Sequence, residues 1–321
     1  MELKEIYAPV SEELQQVTTM LRSVGNDVEN PWLAEQLKYI IEGSGKIIRP
    51  ALVLFSGKIF DSPLDRLLPM AVAVELMHTA TLIHDDAIDK ADTRRGRATI
   101  NSLWGNEIAI LMGDYLFARA GVYSTESNTV RAIRLFSETL SIIASGEISQ
   151  FRGAYNLNQS REEYFRRIYR KTGSLFSLST QSGAIIGGAE EEHIAIMREY
   201  GENCGIAFQI VDDIMDFTST PEKLGKPVGS DLRQGTLTLP AMMVLERYPD
   251  NNPVRKLFET KDESYSSAAL DIILNSSIIP DCYAVATEFR DRGCNKLSIL
   301  PENSYRRSLE ALGEFIINQG R

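Results

Sequence analysis

The stretch "LLPMAVAVELMHTATLIHDDAIDKADTRRG", residues 67–96, decides how the chain is read. Its first half is apolar almost all round, as a helix buried in a large core must be. Its second half sets Asp85, Asp86 and Asp89 in a DDxxD arrangement, with the adjacent Arg94 and Arg95 just beyond. On a helix, positions i and i+4 share a face, so Asp85 and Asp89 point the same way with Asp86 beside them. Carboxylates that close repel, and their pKa values rise unless something cationic neutralises them. Taken alone, such a cluster reads as a solvated helix end.

The pattern recurs. In "CGIAFQIVDDIMDF", residues 204–217, Asp212, Asp213 and Asp216 repeat the spacing after another apolar helical run. Two apolar helices that each end in DDxxD are hard to attribute to solvation. Facing carboxylates suit hard divalent cations, which prefer oxygen ligands. Mg²⁺ takes only one or two protein carboxylates per ion and completes its shell with water and phosphate. The pair of clusters therefore points to several Mg²⁺ ions bridging to a diphosphate. A structural calcium site is the alternative, but no EF-hand glycine spacing accompanies it.

Cations suited to phosphate are also present. "GSGKIIRP", residues 43–50, supplies Lys46 and Arg49. Arg94 and Arg95 follow the first cluster, "KTGSLF" offers Lys171 and Thr172, and "LGKPVGSD" offers Lys226. Arginine holds phosphate through a planar fork and lysine as a point charge. Each alone reads as a surface charge. With the twin acidic clusters they imply two polyanionic groups, one on metal and one on basic side chains.

The wider chain fits a helical enzyme. Its 321 residues can bury a large core, and a net charge of −10 argues against nucleic-acid binding. Three unevenly spaced cysteines, Cys204, Cys282 and Cys294, read as reduced thiols rather than a disulfide framework. The N-terminus has early acidic residues and no apolar signal core, and the run at 67–83 contains Glu75 and His78, short of a membrane span. Expectation is therefore a cytoplasmic protein without a transmembrane segment. Near the N-terminus, Pro9 and Ser11 mark a helix start, with Ser11 as its cap, and Pro50 marks another start. Residues 64–90, 105–123, 127–152, 161–188, 190–218 and 236–248 show apolar spacings of three and four, and "YRRSLEALGEFIINQ" repeats them. No alternating strands with Asn-Gly or Asp-Gly hairpins are visible. The fold class is all-α, as a single domain over 1–321, with 153–160, 219–235 and 249–253 as loops and the middle one a candidate lid.

In order, "GSGKIIRP", "ELMHTATLIHDDAIDKADTRRG", "GDYLFARA", "KTGSLFSLS", "GIAFQIVDDIMDF" and "GKPVGSDLRQGTLTLP" resemble the motif series of the trans-isoprenyl diphosphate synthases, most closely the bacterial long-chain (hexa- to octaprenyl-type) members. The match runs over nearly the whole chain. The resemblance implies an isoprenoid-synthase-type helical bundle around a deep central cavity, as a homodimer or with a heteromeric partner. It implies that Asp85, Asp86, Asp89, Asp212, Asp213 and Asp216 gather Mg²⁺, three ions per active site with two or more bridging to diphosphate. Arg94, Lys171, Thr172, Gln209 and Lys226 would contact the allylic diphosphate primer, and Lys46, Arg49, His78 and Arg95 isopentenyl diphosphate. His78 otherwise reads as a satisfied core histidine, while His84 and His193 carry no assigned role. The chain departs from the short-chain pattern at Thr236, where those members often carry a second lysine, so lid closure should rest more on Lys226.

The chemistry implied is ionisation of an allylic diphosphate, attack by the alkene of isopentenyl diphosphate and loss of a proton. It needs electrostatic stabilisation of the leaving group rather than a protein nucleophile, and no such triad is apparent. The apolar run before Asp85 then becomes the wall of a tunnel for the growing hydrocarbon. A helical turn of about 5.4 Å is on the scale of one isoprene unit. Where short-chain members often place an aromatic residue, this chain has the small Ala80 and Thr81, so a product longer than C20, delivered to a membrane, is expected. The competing readings are a C20–C25 synthase, one silent subunit of a heteromeric synthase, and a terpene cyclase. A cyclase would leave Lys46, Arg49 and Arg95 without a second diphosphate to bind.

Overall fold

A computed structural model describes residues 1–43, 45–220 and 227–319. After a short helix (Leu3–Tyr7) and a 3₁₀ turn (Ala8–Val10), the principal helices are α1 (Ser11–Ser23), α2 (Pro31–Glu42), α3 (Ile48–Ile59) and α4 (Leu64–Asp89). A two-stranded hairpin, β1 (Thr93–Arg94) with β2 (Arg97–Ala98), precedes α5 (Asn106–Glu126), α6 (Val130–Arg152) and α7 (Arg161–Ile168). Next come α8 (Ser174–Ile186), α9 (Glu191–Thr218), α10 (Leu239–Arg247), α11 (Pro253–Thr260), α12 (Ser264–Leu274), α13 (Ile278–Asn295) and α14 (Ser304–Asn318). The all-α expectation holds, and the helix limits inferred from periodicity lie within a few residues of those observed.

Local chemistry explains the ends. Asn30 caps α2 by accepting the backbone N–H groups of Trp32 at 3.0 Å and Leu33 at 3.3 Å, and Pro31 occupies the first helical position. Ser160 and Glu163 close a capping box on α7. Ser11, expected to cap α1, is instead its first residue; Val10 precedes it and makes no side-chain cap, because the 3₁₀ turn already accepts the incoming N–H. Helices α11, α12 and α13, which the periodicity reading did not single out, pack in the C-terminal third.

Apolar surface fixes the layering. All of α3 except Lys58 is buried, and α4 is buried continuously from Pro69 to Met77. α4 lies along α5, while α8 packs against both α3 and α9, and α9 against α13. By length and composition α4 would suffice to cross a membrane, contrary to the expectation from the sequence, yet two-thirds of its apolar window (67%) is buried in the protein, as in a core helix. Cys204, Cys282 and Cys294 are free thiols.

Glycines set the closest approach. Along one face of α9, four residues apart, stand Gly201, Gly205, Gln209 and Asp213. A Cβ at Gly201 would lie 2.6 Å from Ser177 Cα, and one at Gly205 would lie 2.6 Å from Gly173 Cα. Backbone therefore touches backbone where α9 meets the start of α8, and the next residues on that face are delivered to the same place. Gly205→Ala should open this contact, at an overpacking cost of about 1–3 kcal/mol. Thermal unfolding should show a lowered midpoint for Gly205→Ala and none for Gly121→Ala, a helical site where an added Cβ meets nothing within 4 Å.

Candidate active site

The last two turns of α4 carry Asp85, Asp86 and Asp89. The helix stops at Lys90, which adopts the left-handed conformation (φ 53°) and returns its N–H to Asp86. The hairpin that follows turns on Arg95 and Gly96, both at positive φ (52° and 75°), the signature of a primed two-residue turn. This small sheet, invisible to a search for Asn-Gly or Asp-Gly, throws Arg94 back onto the helix. Arg94 Nε donates to both oxygens of Asp86, at 2.9 and 3.0 Å. Burial raises the Asp86 pKa and the charge and hydrogen bond of Arg94 oppose it.

Between α7 and α8 the backbone widens into a π-turn, Tyr169–Gly173, inside what the sequence presents as one continuous helix. Such turns recur at functional sites because they redirect side chains without ending the helix. Here they redirect Lys171 and Thr172. Lys171 Nζ lies 3.7 Å from Asp85 Oδ2 and 3.0 Å from Glu147 Oε1. Burial would discharge this amine, but Asp85, Glu147 and Asp89 outweigh it and hold it charged, above the ordinary lysine range. Thr172, the next residue, donates its hydroxyl to Gln209 Oε1 at 2.6 Å. Gln209 in turn donates to Asp213 Oδ1 at 2.9 Å and to Asp212 Oδ2 at 3.3 Å. The two acidic helix ends thus flank one dipeptide, Asp85 on the Lys171 side and Asp212 with Asp213 on the Thr172 side.

Asp213 is buried and shared. Tyr164 donates its hydroxyl to Asp213 Oδ2 at 2.7 Å. Burial and the charge of Asp231 push the Asp213 carboxyl up to about 7 against the bonds from Gln209 and Tyr164. Tyr164 itself, buried beside that carboxylate, is held well above its usual pKa and stays a donor. Asp216, also buried, accepts the backbone N–H of Asp231 at 3.2 Å, which ties the descending loop to α9. Lys226 lies outside the described residues. Thr236 sits at the base of that loop, its N–H donating to Asp231 O at 2.8 Å.

A second, cationic group lies at the N-terminus of α3. Ile47 takes a left-handed conformation (φ 45°), costly for a β-branched residue, and parts Lys46 from Arg49. Arg49 is buried, with its guanidinium 5.1 Å from the Phe176 ring centre. Arg95 reaches across from the hairpin and rests where a side chain at Gly45 would have to be, 2.1 Å from the ideal Cβ. Lys46 Nζ donates to Gln319 at 3.2 Å. His78, two turns below Asp85, is kept neutral by burial first and then by the charges of Arg49, Arg95 and Arg94. Arg95 connects the four residues expected to form the second basic group, its charge acting on Lys46, Arg49 and His78. Glu75 is their buried counter-charge, its pKa raised by burial against the pull of Arg49 and Arg95. His84 and His193 lie in the packing: His84 Nε2 donates to Ile110 O at 3.0 Å, and His193 stacks on Phe60.

Sequence reasoning missed Glu147, Tyr164, Asp231 and Glu75. Glu75 and Tyr164 were readable as polar residues at buried helical positions. Glu147 and Asp231 had no signal of their own, because their importance comes from what folds against them. The donor set is carboxylate oxygen throughout, which suits a hard cation such as Mg²⁺. Among the described residues no three acidic, histidine or cysteine side chains are gathered into a ready-made metal cage.

Residues 30–273 match the family profile described as Polyprenyl synthetase. The chain is 36% identical over 317 residues to heptaprenyl diphosphate synthase component 2 of Bacillus subtilis, covering 98% of this chain and 90% of that protein. Its fold superposes with a TM-score of 0.91 on the heptaprenyl diphosphate synthase of Staphylococcus aureus (33% identity, 97% and 98% of the two chains covered). With a TM-score of 0.92 it also matches a polyprenyl synthase of Caulobacter crescentus complexed with calcium and isoprenyl diphosphate (28% identity, 100% and 98% covered). The chain belongs to the polyprenyl synthetase family and is a prenyltransferase.

Removing the Tyr164 hydroxyl leaves a buried carboxylate oxygen without its donor, a loss of about 1–3 kcal/mol. Tyr164→Phe should therefore unfold at lower denaturant concentration than the native protein; an unchanged midpoint would show that the Tyr164 bond to Asp213 adds nothing.

Proposed function

We propose that this protein joins isopentenyl diphosphate head-to-tail (1′-4) to an allylic diphosphate primer, with Mg²⁺, giving a trans-polyprenyl diphosphate longer than C20. The observation that carries the reading is the run of contacts from Asp85 through Lys171 and Thr172 to Gln209, Asp212 and Asp213. It joins two acidic helix ends around one cation, at the head of an apolar helix.

Mg²⁺ ions, three per site in this proposal, would supply charge neutralisation for the leaving diphosphate. Asp85 and Asp89 on one side and Asp212 on the other are the residues we assign to them. Asp86, Asp213 and Asp216, which here accept from Arg94, from Tyr164 and Gln209, and from the Asp231 N–H, would complete the two clusters. Lys171, Thr172, Gln209 and Arg94, with Lys226, would take the phosphate oxygens of the allylic substrate, and a lysine already charged needs no proton to do so. Lys46, Arg49 and Arg95 would hold the diphosphate of isopentenyl diphosphate, with neutral His78 adding a donor and no charge. When the allylic C–O bond breaks, both electrons leave with the diphosphate. The alkene of isopentenyl diphosphate closes the new C–C bond, and the proton then lost passes to the released diphosphate.

The small residues on α4 support the long product: Ala80 is fully buried, and Thr81 is half-buried with its hydroxyl donating to His78 O at 2.7 Å. We read the chain as soluble and cytoplasmic, releasing its product to a membrane. Exposed apolar residues on α5, Leu111 (62%) and Val122 (48%), support a homodimer through that face. The component 2 designation of the Bacillus subtilis relative favours a second reading, in which this chain works with a different subunit.

Purified protein given Mg²⁺, farnesyl diphosphate and labelled isopentenyl diphosphate should yield products beyond C20; products ending at C15 or C20 refute the long-chain assignment. No consumption by this chain alone, with recovery on adding a partner, would favour the heteromeric reading. Ala80→Phe, or Thr81→Phe where the tighter site does not fold, should shift products to shorter chains with turnover retained. An unchanged size distribution in both would remove α4 as the measuring wall.

A further inference from the structure

Glu147 sits on α6, outside both acidic clusters, yet its carboxylate reaches Lys171 with both oxygens, at 3.0 and 3.2 Å. Two backbone features bring it there. Gly146 lets α6 lie directly against the π-turn, since a Cβ at that position would stand 2.9 Å from Arg170 Cβ. The π-turn then swings Lys171 toward α6, so that its ammonium lies between Glu147 and Asp85, closer to Glu147.

That asymmetry has a chemical consequence. A lysine side chain carries about 2 kcal/mol of rotamer freedom, and a carboxylate ligand of Mg²⁺ is lost to the metal if it forms a tight ion pair with a neighbouring ammonium. Glu147 answers both problems. It fixes Lys171 before substrate arrives, and it draws the ammonium off Asp85, which stays at 3.7 Å rather than in a close pair.

We infer that Glu147 is the positioning residue for Lys171: it holds the ammonium in the cleft toward the allylic diphosphate and keeps Asp85 available to metal. The inference rests on Lys171 meeting that diphosphate, as proposed above. Glu147 touches no reacting atom. Its effect is therefore confined to one of the two substrates and to the metal, and a merely structural ion pair would not produce that split.

The test is Glu147→Gln, which keeps shape and an acceptor but removes the charge, beside Glu147→Asp, which keeps the charge. Loss of a charge-assisted hydrogen bond corresponds to about tenfold or somewhat more. For Glu147→Gln the KM for farnesyl diphosphate and the Mg²⁺ concentration for half-activation should each rise about tenfold. The KM for isopentenyl diphosphate should stay within twofold, and Glu147→Asp should recover much of the loss. Calorimetric binding of the sulfur-bridged analogue of farnesyl diphosphate, which does not ionise, should weaken in parallel.

Unchanged values for Glu147→Gln overturn the inference, as does an equal rise for both substrates. So does loss of helical circular dichroism in both variants, which would make Glu147 a folding residue. Native protein that binds the analogue but consumes no isopentenyl diphosphate, even with a partner subunit added, would sink the condensation reading and leave the Glu147 comparison to be decided by binding alone. Native protein that does not bind the analogue overturns both.

Discussion

Two acidic helix ends cannot be brought together without a cation to hold them, and the rest of the site follows from where that cation is placed. Lys171 lies between carboxylates on α4 and α6, charged despite its burial because Asp85, Glu147 and Asp89 surround it. Like charges in a shielded cleft repel strongly enough to shift one another's ionisation. The fold answers with one lysine and one arginine spent inward, Lys171 on Asp85 and Arg94 on Asp86, and with neutral donors, Gln209 and Tyr164, on the second cluster.

Charge alone would not bring the helices near enough. Gly201 and Gly205 let α9 touch backbone at the start of α8, and Gln209 and Asp213 follow on the same face. The π-turn at Tyr169–Gly173 adds the small rotation that points Lys171 toward α4 and α6 while Thr172 turns to α9. Neighbouring side chains on a regular helix already diverge by about 100°, and the wider turn changes that angle.

The second basic group shows the same economy of charge. Arg49, Arg95 and Lys46 crowd around the start of α3, and the carboxylate set against them is Glu75, buried three turns below Asp85 on α4. Arg49 is buried against Phe176, and that burial lowers its pKa to about 10. His78, left neutral among these cations, offers hydrogen bonds without adding to the repulsion. Two diphosphates of the same charge would thus be received in different ways, one through metal and one through arginine.

By itself, the sequence determined the helical class, the two DDxxD helix ends, the order of the basic motifs and the small residues on α4, because these are local: a period of 3.6, a spacing of four, a side-chain volume. The proposed division of residues between the two diphosphates came instead from the resemblance of the ordered motif series. What only tertiary structure decided was which charges meet. Nothing local announces that Glu147 faces Lys171, that Tyr164 donates to Asp213, that Arg94 is turned back onto Asp86 by a hairpin of two residues a side, or that a helix continuous in its periodicity opens into a π-turn. Those outcomes depend on how closely backbones pack at Gly146, Gly201 and Gly205, and a glycine in a sequence does not say what will lie against it.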